Sequence, residues 1–281
     1  MSRRVSIYKS ADELRAMLRP GVITAQALDA VRSVIGSGVS TLELDAVAER
    51  VIRDAGAEPN FMLVPGYRHS ICASVNAEVV HGVPGARVLE PGDIVSIDCG
   101  AQFDGWNGDA AFTAVIPHPS RPDLVIERRR LSEATEQSLW AGIAALSEAK
   151  RLGEVGEAIE DYLEALARGG GTPFGILEDY VGHGIGRSMH EEPPVFNYRV
   201  RGSSPKVVAG LVVAIEPMVT LGGIDTIVHD DGWTVSTADG TDAAHWEHSV
   251  AVHDRGVWVL TAHDGGAAGL AQFGVTPVPI G

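Results

Sequence analysis

Cysteine is nearly absent from this chain: Cys72 and Cys99 are the only two among 281 residues. Two cysteines build no disulfide framework, and their scarcity points to a reducing compartment. Long apolar runs are missing as well. None reaches the roughly 20 residues needed to span a bilayer, and the opening MSRRVSIYKS lacks the apolar core of a secretion signal. The expectation is a soluble cytoplasmic protein with no membrane partner. Basic charge is also short, with 22 Lys and Arg against 37 Asp and Glu, a formal net charge of −15. A grip on nucleic acid needs a basic face, so no specific nucleic-acid partner is expected. What is present, 45% hydrophobic and 21% charged residues, suits a folded globular chain.

Helix signals come in two pairs. Ser10 to Glu13 and Ser40 to Glu43 both have the spacing of a capping box, a hydroxyl at the helix start and a carboxylate reaching back from three residues on. The first precedes the apolar periodicity of 23–35; the second opens an amphipathic run through Leu44, Val47, Val51 and Ile52 that stops near Gly56. Two further helical periods cover 131–146 and 155–166, after a connector at 117–122 and before the glycines 169–171. The rest is strand-rich. Residues 1–263 read as one catalytic domain, and the Gly/Ala/Pro-rich tail 264–281 is expected to be loosely ordered.

An internal repeat carries the most information. The early copy reads Val95-Ser96-Ile97-Asp98, then DGW at 104–106, then Gly108-Asp109-Ala110-Ala111-Phe112. The late copy reads Val213-Ala214-Ile215-Glu216, then DGW at 231–233, then Trp246-Glu247-His248-Ser249-Val250. Each has an acid at the end of an apolar strand, a turn, and a second acid in the returning strand. Helical hairpins precede both copies. The expectation is two α/β halves related by a pseudo-twofold axis, with four acids converging at the centre.

A carboxylate at the end of an apolar strand is costly to bury unless a cation or hydrogen-bond donors meet it. One such acid reads as an ordinary strand end facing solvent; four at matched positions read as ligands of a shared cation. Arg187 and the histidines cannot neutralise four acids, whereas a pair of divalent ions can, bridged by carboxylates at a separation of about 3.5–4 Å. Gly182-His183-Gly184-Ile185-Gly186 supplies a further ligand, an imidazole left uncrowded by flanking glycines. His81 and His190, each beside a Gly/Pro turn, suit the rim of the same site. Other chemistries fit less well. His245-Trp246-Glu247-His248 has neither zincin spacing, no G-x-S-x-G elbow occurs, and Cys72 sits among apolar residues as a small buried side chain.

The motifs ICASVNAEVVHGVPG, VSIDCG, DGWNGDAAF, VGHGIGRSMHEEP, VAIEPM and HWEHSVAV, in this order over about 10–261, resemble the type I methionine aminopeptidases of the bacterial class. The resemblance implies the pita-bread fold, an α/β arrangement of two pseudo-twofold halves with a central antiparallel sheet and helices outside. It implies two divalent ions, Co, Mn, Fe or Zn, held by Asp98, Asp109, His183, Glu216 and Glu247. Asp109 and Glu247 would bridge, Asp98 would serve one ion, and His183 and Glu216 the other. His81 would contact the substrate near its scissile amide, and His190 would steady the scissile carbonyl. Tyr67, Cys72, Met189 and Trp233 would line the methionine pocket, although Tyr67 and Trp233 read nearly as well as plain core. Met189 stands where relatives often have Phe, and FMLVPGY departs from the usual glycine-rich version.

The implied reaction is removal of the N-terminal methionine from nascent polypeptides whose second residue is small. A metal-bridging water, deprotonated more easily than bulk water, would attack the carbonyl, with Glu216 passing the proton to the leaving amine. The chain is expected to act as a monomer. The loop 197–208, with Arg199, Arg201 and Lys206, is a candidate ribosome contact, against plain solvation, which is favoured. Two rivals remain. Proline-directed or creatinase-like relatives carry a separate N-terminal domain, for which the stretch before Asp98 leaves no room. A metal-free binding module of this fold would lose ligands, and all five are present here. The step of 26 positions from His190 to Glu216 is too short for the helical insertion of type II enzymes.

Overall fold

The computed structural model describes residues 6–170 and 173–281. Met1 to Val5 of the opening segment and Gly171 of the glycine run lie outside the described residues.

Both capping boxes form. Helix α1 (Ala11–Val34) starts at Ser10, whose Oγ accepts from the Glu13 amide while the Glu13 carboxylate accepts from the Ser10 amide. Helix α2 (Thr41–Asp54) repeats the arrangement with Ser40 and Glu43. α1 is longer than its apolar stretch, because it begins at the box and runs on through Pro20. The reason for Gly21 is contact. A methyl group added at Gly108 would stand 2.8 Å from the Gly21 nitrogen, and one added at Gly21 would collide with the Leu260 carbonyl. Thr24, one turn on, donates to the Gly108 carbonyl and accepts from the Ala101 amide, so α1 is fastened to two strands. Helices α3 (Pro122–Glu148) and α4 (Gly153–Arg168) form the second pair and pack on each other.

Among the described residues nine strands make the main sheet: β1 (Glu58–Pro59), β2 (Ile71–Val75), β3 (Ile94–Phe103), β4 (Trp106–Val115), β5 (Gly182–Gly184), β6 (Glu191–Val195), β7 (Val212–Ile215), β8 (Glu247–His253) and β9 (Gly256–Val259). Every pairing in it is antiparallel. The middle of the sheet runs β3-β4-β8-β7. β3 carries VSID, β4 carries GDAAF, β7 leads into Glu216, and β8 starts at Glu247. The two repeat copies therefore meet along the β4–β8 seam, and that seam is the pseudo-twofold axis. α1 packs behind β3 and β4, and α3 packs against β4 and, less extensively, against β7 and β8. Apolar side chains from both halves, among them Ile97, Phe112, Val213, Val250, Leu131 and Ile143, share one core.

Three expectations need correction. Asp98 lies inside β3, not at its end; Glu216 does follow directly on its strand. The two DGW turns are not equivalent. The first is the β3–β4 hairpin, with Asp104 at φ 50° and Gly105 at φ 72°, two left-handed residues as a tight two-residue turn demands. The second sits in a separate hairpin, Thr226–Val228 with Val235–Thr237, inserted between β7 and β8. The match reflects a shared turn requirement, since Gly232 also has a positive φ of 75°. The tail from Asp264 is laid on the domain. Leu270 is fully buried, and Gly269 packs on the Trp140 ring so closely that no side chain would fit. Val278 donates its amide to Val257 and accepts at its carbonyl from His253, and Arg15 donates to the Gly281 carbonyl. Gly266 and Gly269 are there for close packing on Trp140, which composition alone does not reveal.

Candidate metal centre

Strand register places the acids. Asp98 on β3 and Glu247 on β8 both lie opposite Ala111 of β4, and Asp109 is two residues from Ala111 on the same strand. Residues paired across antiparallel strands, or two apart along one, share a face. Asp98, Asp109 and Glu247 therefore point to the same side. On the other half, His183 of β5 is opposite Ala214 of β7, and Glu216 is two residues beyond Ala214. The positions between the donors are alanines, Ala111 and Ala214, which leave the space over the sheet open.

The donor atoms converge. Ligand atoms of Asp109, His183 and Glu247 lie within 4.8 Å of one another, and so do those of Glu216, His245 and Glu247. His183 Nε2 stands 3.6 Å from Glu216 Oε1. The other nitrogen, His183 Nδ1, is 2.9 Å from the Gly184 carbonyl and donates to it, which leaves the Nε2 lone pair facing the acids. Arg187 does not enter the site; it stacks on Trp106 at 3.9 Å and donates to the Asp104 carbonyl.

The electrostatics show what the protein alone leaves unsolved. Asp98 Oδ1, Asp109 Oδ1 and Glu247 Oε1 are buried with no hydrogen-bond partner. Burial pushes Asp98 and Glu216 up to about 7. Asp109 is raised by burial and then by Asp98, and Glu247 by burial and then by Asp109. Buried polar atoms are ordinarily paired, and among the described residues no lysine or arginine lines the cavity to pair them. Four carboxylates and an imidazole that lack only positive charge are a donor set for hard or borderline divalent ions. The residues fit such ions.

Every site residue singled out from the sequence lines one cavity of ≈ 140 Å³, together with Phe61 and Val64. Its apolar end is a cluster of Phe61, Tyr67 and Cys72 with Val64, Met189 and Trp233 packed on it. Tyr67 meets Trp233 edge to face at 5.0 Å and donates its hydroxyl to the Ile71 carbonyl at 2.7 Å. Burial and the Asp98 charge push the Cys72 thiol up, so it stays a neutral, unreactive sulfur. Its other end holds histidines. His81 has a left-handed backbone, φ 59°, and Gly82 after it packs against the Ala73 carbonyl too tightly for a side chain. Such strain in a non-glycine residue clusters at functional sites. The His190 and His183 rings meet at 4.4 Å. Burial lowers His190 and takes His81 down to about 4, so both are neutral near pH 7.

The sequence reading assigned no role to Phe61, Val64 or His245. The first two sit in the stretch FMLVPGY, which has no chemical signature. His245 had a usable signal: it stands two residues before Glu247, and alternation along a strand puts such residues on one face.

The description metallopeptidase family M24 matches residues 15–254. The chain is 52% identical over 260 residues to methionine aminopeptidase 1 of Mycobacterium tuberculosis, covering 92% of this chain and 96% of that one. It is 41% identical over 255 residues to methionine aminopeptidase 1 of Bacillus subtilis, covering 91% and 98%. Among solved structures, methionine aminopeptidase from Thermotoga maritima superposes with a TM-score of 0.84 at 35% identity, covering 91% of this chain and 99% of that one. Prolidase from Pyrococcus furiosus, at 21% identity and a TM-score of 0.69, shares the fold. By its match over most of its length, and by its likeness to these enzymes, the chain belongs to metallopeptidase family M24.

Proposed function

We propose that the chain is a metal-dependent aminopeptidase that removes N-terminal methionine from nascent polypeptides when the second residue is small. One observation carries this reading: unpartnered buried carboxylate oxygens converge at one end of a cavity whose other end is a sulfur- and ring-lined apolar pocket. In this reading Asp98, Asp109, His183, Glu216 and Glu247 would hold two divalent ions. The oxygen-rich set suits Mn(II), Fe(II) or Co(II), and also admits Zn(II). Such ions, when bound, lower the pKa of water far below its bulk value of about 15.7 and polarise carbonyl groups.

The chain's own residues supply the rest. Met189, Cys72, Tyr67 and Trp233 receive the thioether side chain, since soft sulfur and aromatic edges both favour it. The carboxylate-rich floor meets the free α-amino group, which restricts cleavage to the first residue. His190, neutral near pH 7, donates a hydrogen bond to the scissile carbonyl oxygen, and its donation strengthens as negative charge builds there. His81 contacts the scissile amide. Glu216 accepts a proton and returns it to the leaving amine.

All five donors come from one chain, which supports action as a monomer. No helix among the described residues is long and apolar enough to cross a membrane. We place the enzyme in the cytoplasm, where new N-termini emerge. Arg199 of the 197–208 loop donates to Glu160 and Asp161 of α4, so this cation is engaged within the protein and the loop favours solvation over a ribosome contact.

The test is methionine release from Met-Ala-Ser by metal-free protein titrated with Mn(II), Fe(II) and Co(II), beside an Xaa-Pro peptide. Release from the first substrate and not the second is expected; cleavage of Xaa-Pro alone, or silence with every ion, would end the reading. In the same assay His190→Ala is expected to lower kcat about 10²- to 10³-fold, the usual effect of removing an oxyanion donor, while calorimetric metal affinity stays near that of wild type. Unchanged turnover would make His190 a spacer.

A further inference from the structure

His245 has no role in the assignments above, yet it is the least exposed titratable side chain of the centre, at 1%. Its Nε2 is buried without a hydrogen-bond partner. That nitrogen lies 3.5 Å from Glu216 Oε2. His183 Nε2 lies 3.6 Å from the other oxygen of the same carboxylate. The Glu216 carboxylate is thus straddled by two imidazoles, one facing each oxygen.

The backbone around His245 is fixed. Ser96 and Thr113, opposite each other on β3 and β4, join their hydroxyls at 2.8 Å. The His245 amide donates to both hydroxyl oxygens at 3.1 Å, and Thr113 Oγ1 donates back to the His245 carbonyl at 2.7 Å. His245 also pairs with Met218, two residues after Glu216. A buried clamp and a strand pairing therefore aim the ring at Glu216. Such a fixture is wasted on an imidazole that only fills space.

A carboxylate that gives one oxygen to a metal ion needs a donor for the other, and such partners orient the ligand. We propose that His245 is a positioning residue for the metal centre, donating its Nε2 hydrogen to Glu216 Oε2 so that Oε1 faces His183 and the ion they share. The inference rests on Glu216 being a metal ligand. The asymmetry between the two rings supports the division of labour. His183 spends its Nδ1 hydrogen on the Gly184 carbonyl and offers a lone pair, whereas the open nitrogen of His245 meets an acceptor.

Two variants test it, read by calorimetric Co(II) binding and by the visible spectrum of the Co(II) protein, with no turnover needed. His245→Leu removes the donor and is expected to weaken binding about 10- to 100-fold, the range for loss of a group that orients a ligand. His245→Gln keeps an N–H at similar reach and is expected to restore affinity to within about threefold of wild type, with band positions unchanged because no coordinating atom is lost. Thermal melting of both metal-free variants checks that they fold. Equal Co(II) affinity in wild type and His245→Leu would overturn the proposal alone. Failure of His245→Gln to restore binding, or shifted bands in it, would overturn it in favour of direct coordination by His245. Absence of Co(II) binding by wild type would overturn the metal reading of Glu216 and this inference with it.

Discussion

Asp109→Ala is expected to lower methionine release about 10³-fold or more, roughly 4 kcal/mol of transition-state stabilisation, and at the same time to make the metal-free protein more resistant to heat. The two effects share one cause. Asp109 is 3% exposed, and its Oδ1 has no donor. Burial and the charges of Asp98 and Glu216 raise it well above the usual carboxylate range. Without cations this side chain is a liability to the fold; in the proposed function it would be one of the carboxylates that hold them. Its main chain is held independently, since the Asp109 amide donates to Ser249 Oγ and the same hydroxyl donates to the Asp109 carbonyl. Truncation of the side chain therefore leaves the β4–β8 seam intact. Relief of the unpaired buried group is worth about 1–2 kcal/mol, read as a higher melting temperature in chelator. Retained release would remove Asp109 from the metal centre. Lost release with a lowered melting temperature would mean that the residue is needed for folding.

How much of this was legible in the sequence depended on the range of the interaction. Ser10 with Glu13 and Ser40 with Glu43 are three residues apart, and both boxes formed as read. The repeat was legible because both halves solve one packing problem, and its acids lie on the four strands around the β4–β8 seam or directly after them. The DGW pair was misleading for a physical reason: a glycine with positive φ after Asp serves any tight turn, so the match marked turn chemistry and not equivalence. Contacts that cross the chain were beyond reach. Nothing near Gly269 announces that it will lie on Trp140, and nothing near His245 announces that Ser96 and Thr113 will hold its backbone. The clustering of Phe61 and Val64 with Tyr67 likewise depends on the fold, since FMLVPGY carries no charge pattern or period that marks a pocket.

Removal of the metal is expected to make stability fall with rising pH in the neutral range. Unfolded Asp and Glu titrate near pH 4, whereas Asp98 and Glu216 in the folded protein titrate at about 7, with Asp109 and Glu247 raised as well. The folded state holds these protons more tightly than the unfolded chain does. Their contribution is therefore complete below about pH 4 and is lost as pH rises through the folded values. Each proton held only by the folded state tilts stability by about 1.4 kcal/mol per pH unit. The histidines act in the opposite sense. His81 is lowered to about 4, and His183 and His245 are lowered too, all by burial. Their contribution is present above about pH 6.5 and is lost as pH falls. Above about pH 7.5 the histidines are neutral in both states, and the acids alone decide the slope. Divalent ions need the deprotonated carboxylates, so their stabilisation grows with pH over the same interval. Calorimetric melting from pH 7.5 to 8.5 should then show the metal-free protein losing stability while the Mn(II)-loaded protein holds it, with the gap widening steadily. Parallel curves would mean that the four carboxylates do not share one neighbourhood, because only their mutual repulsion and burial make the metal-free fold fear a rising pH.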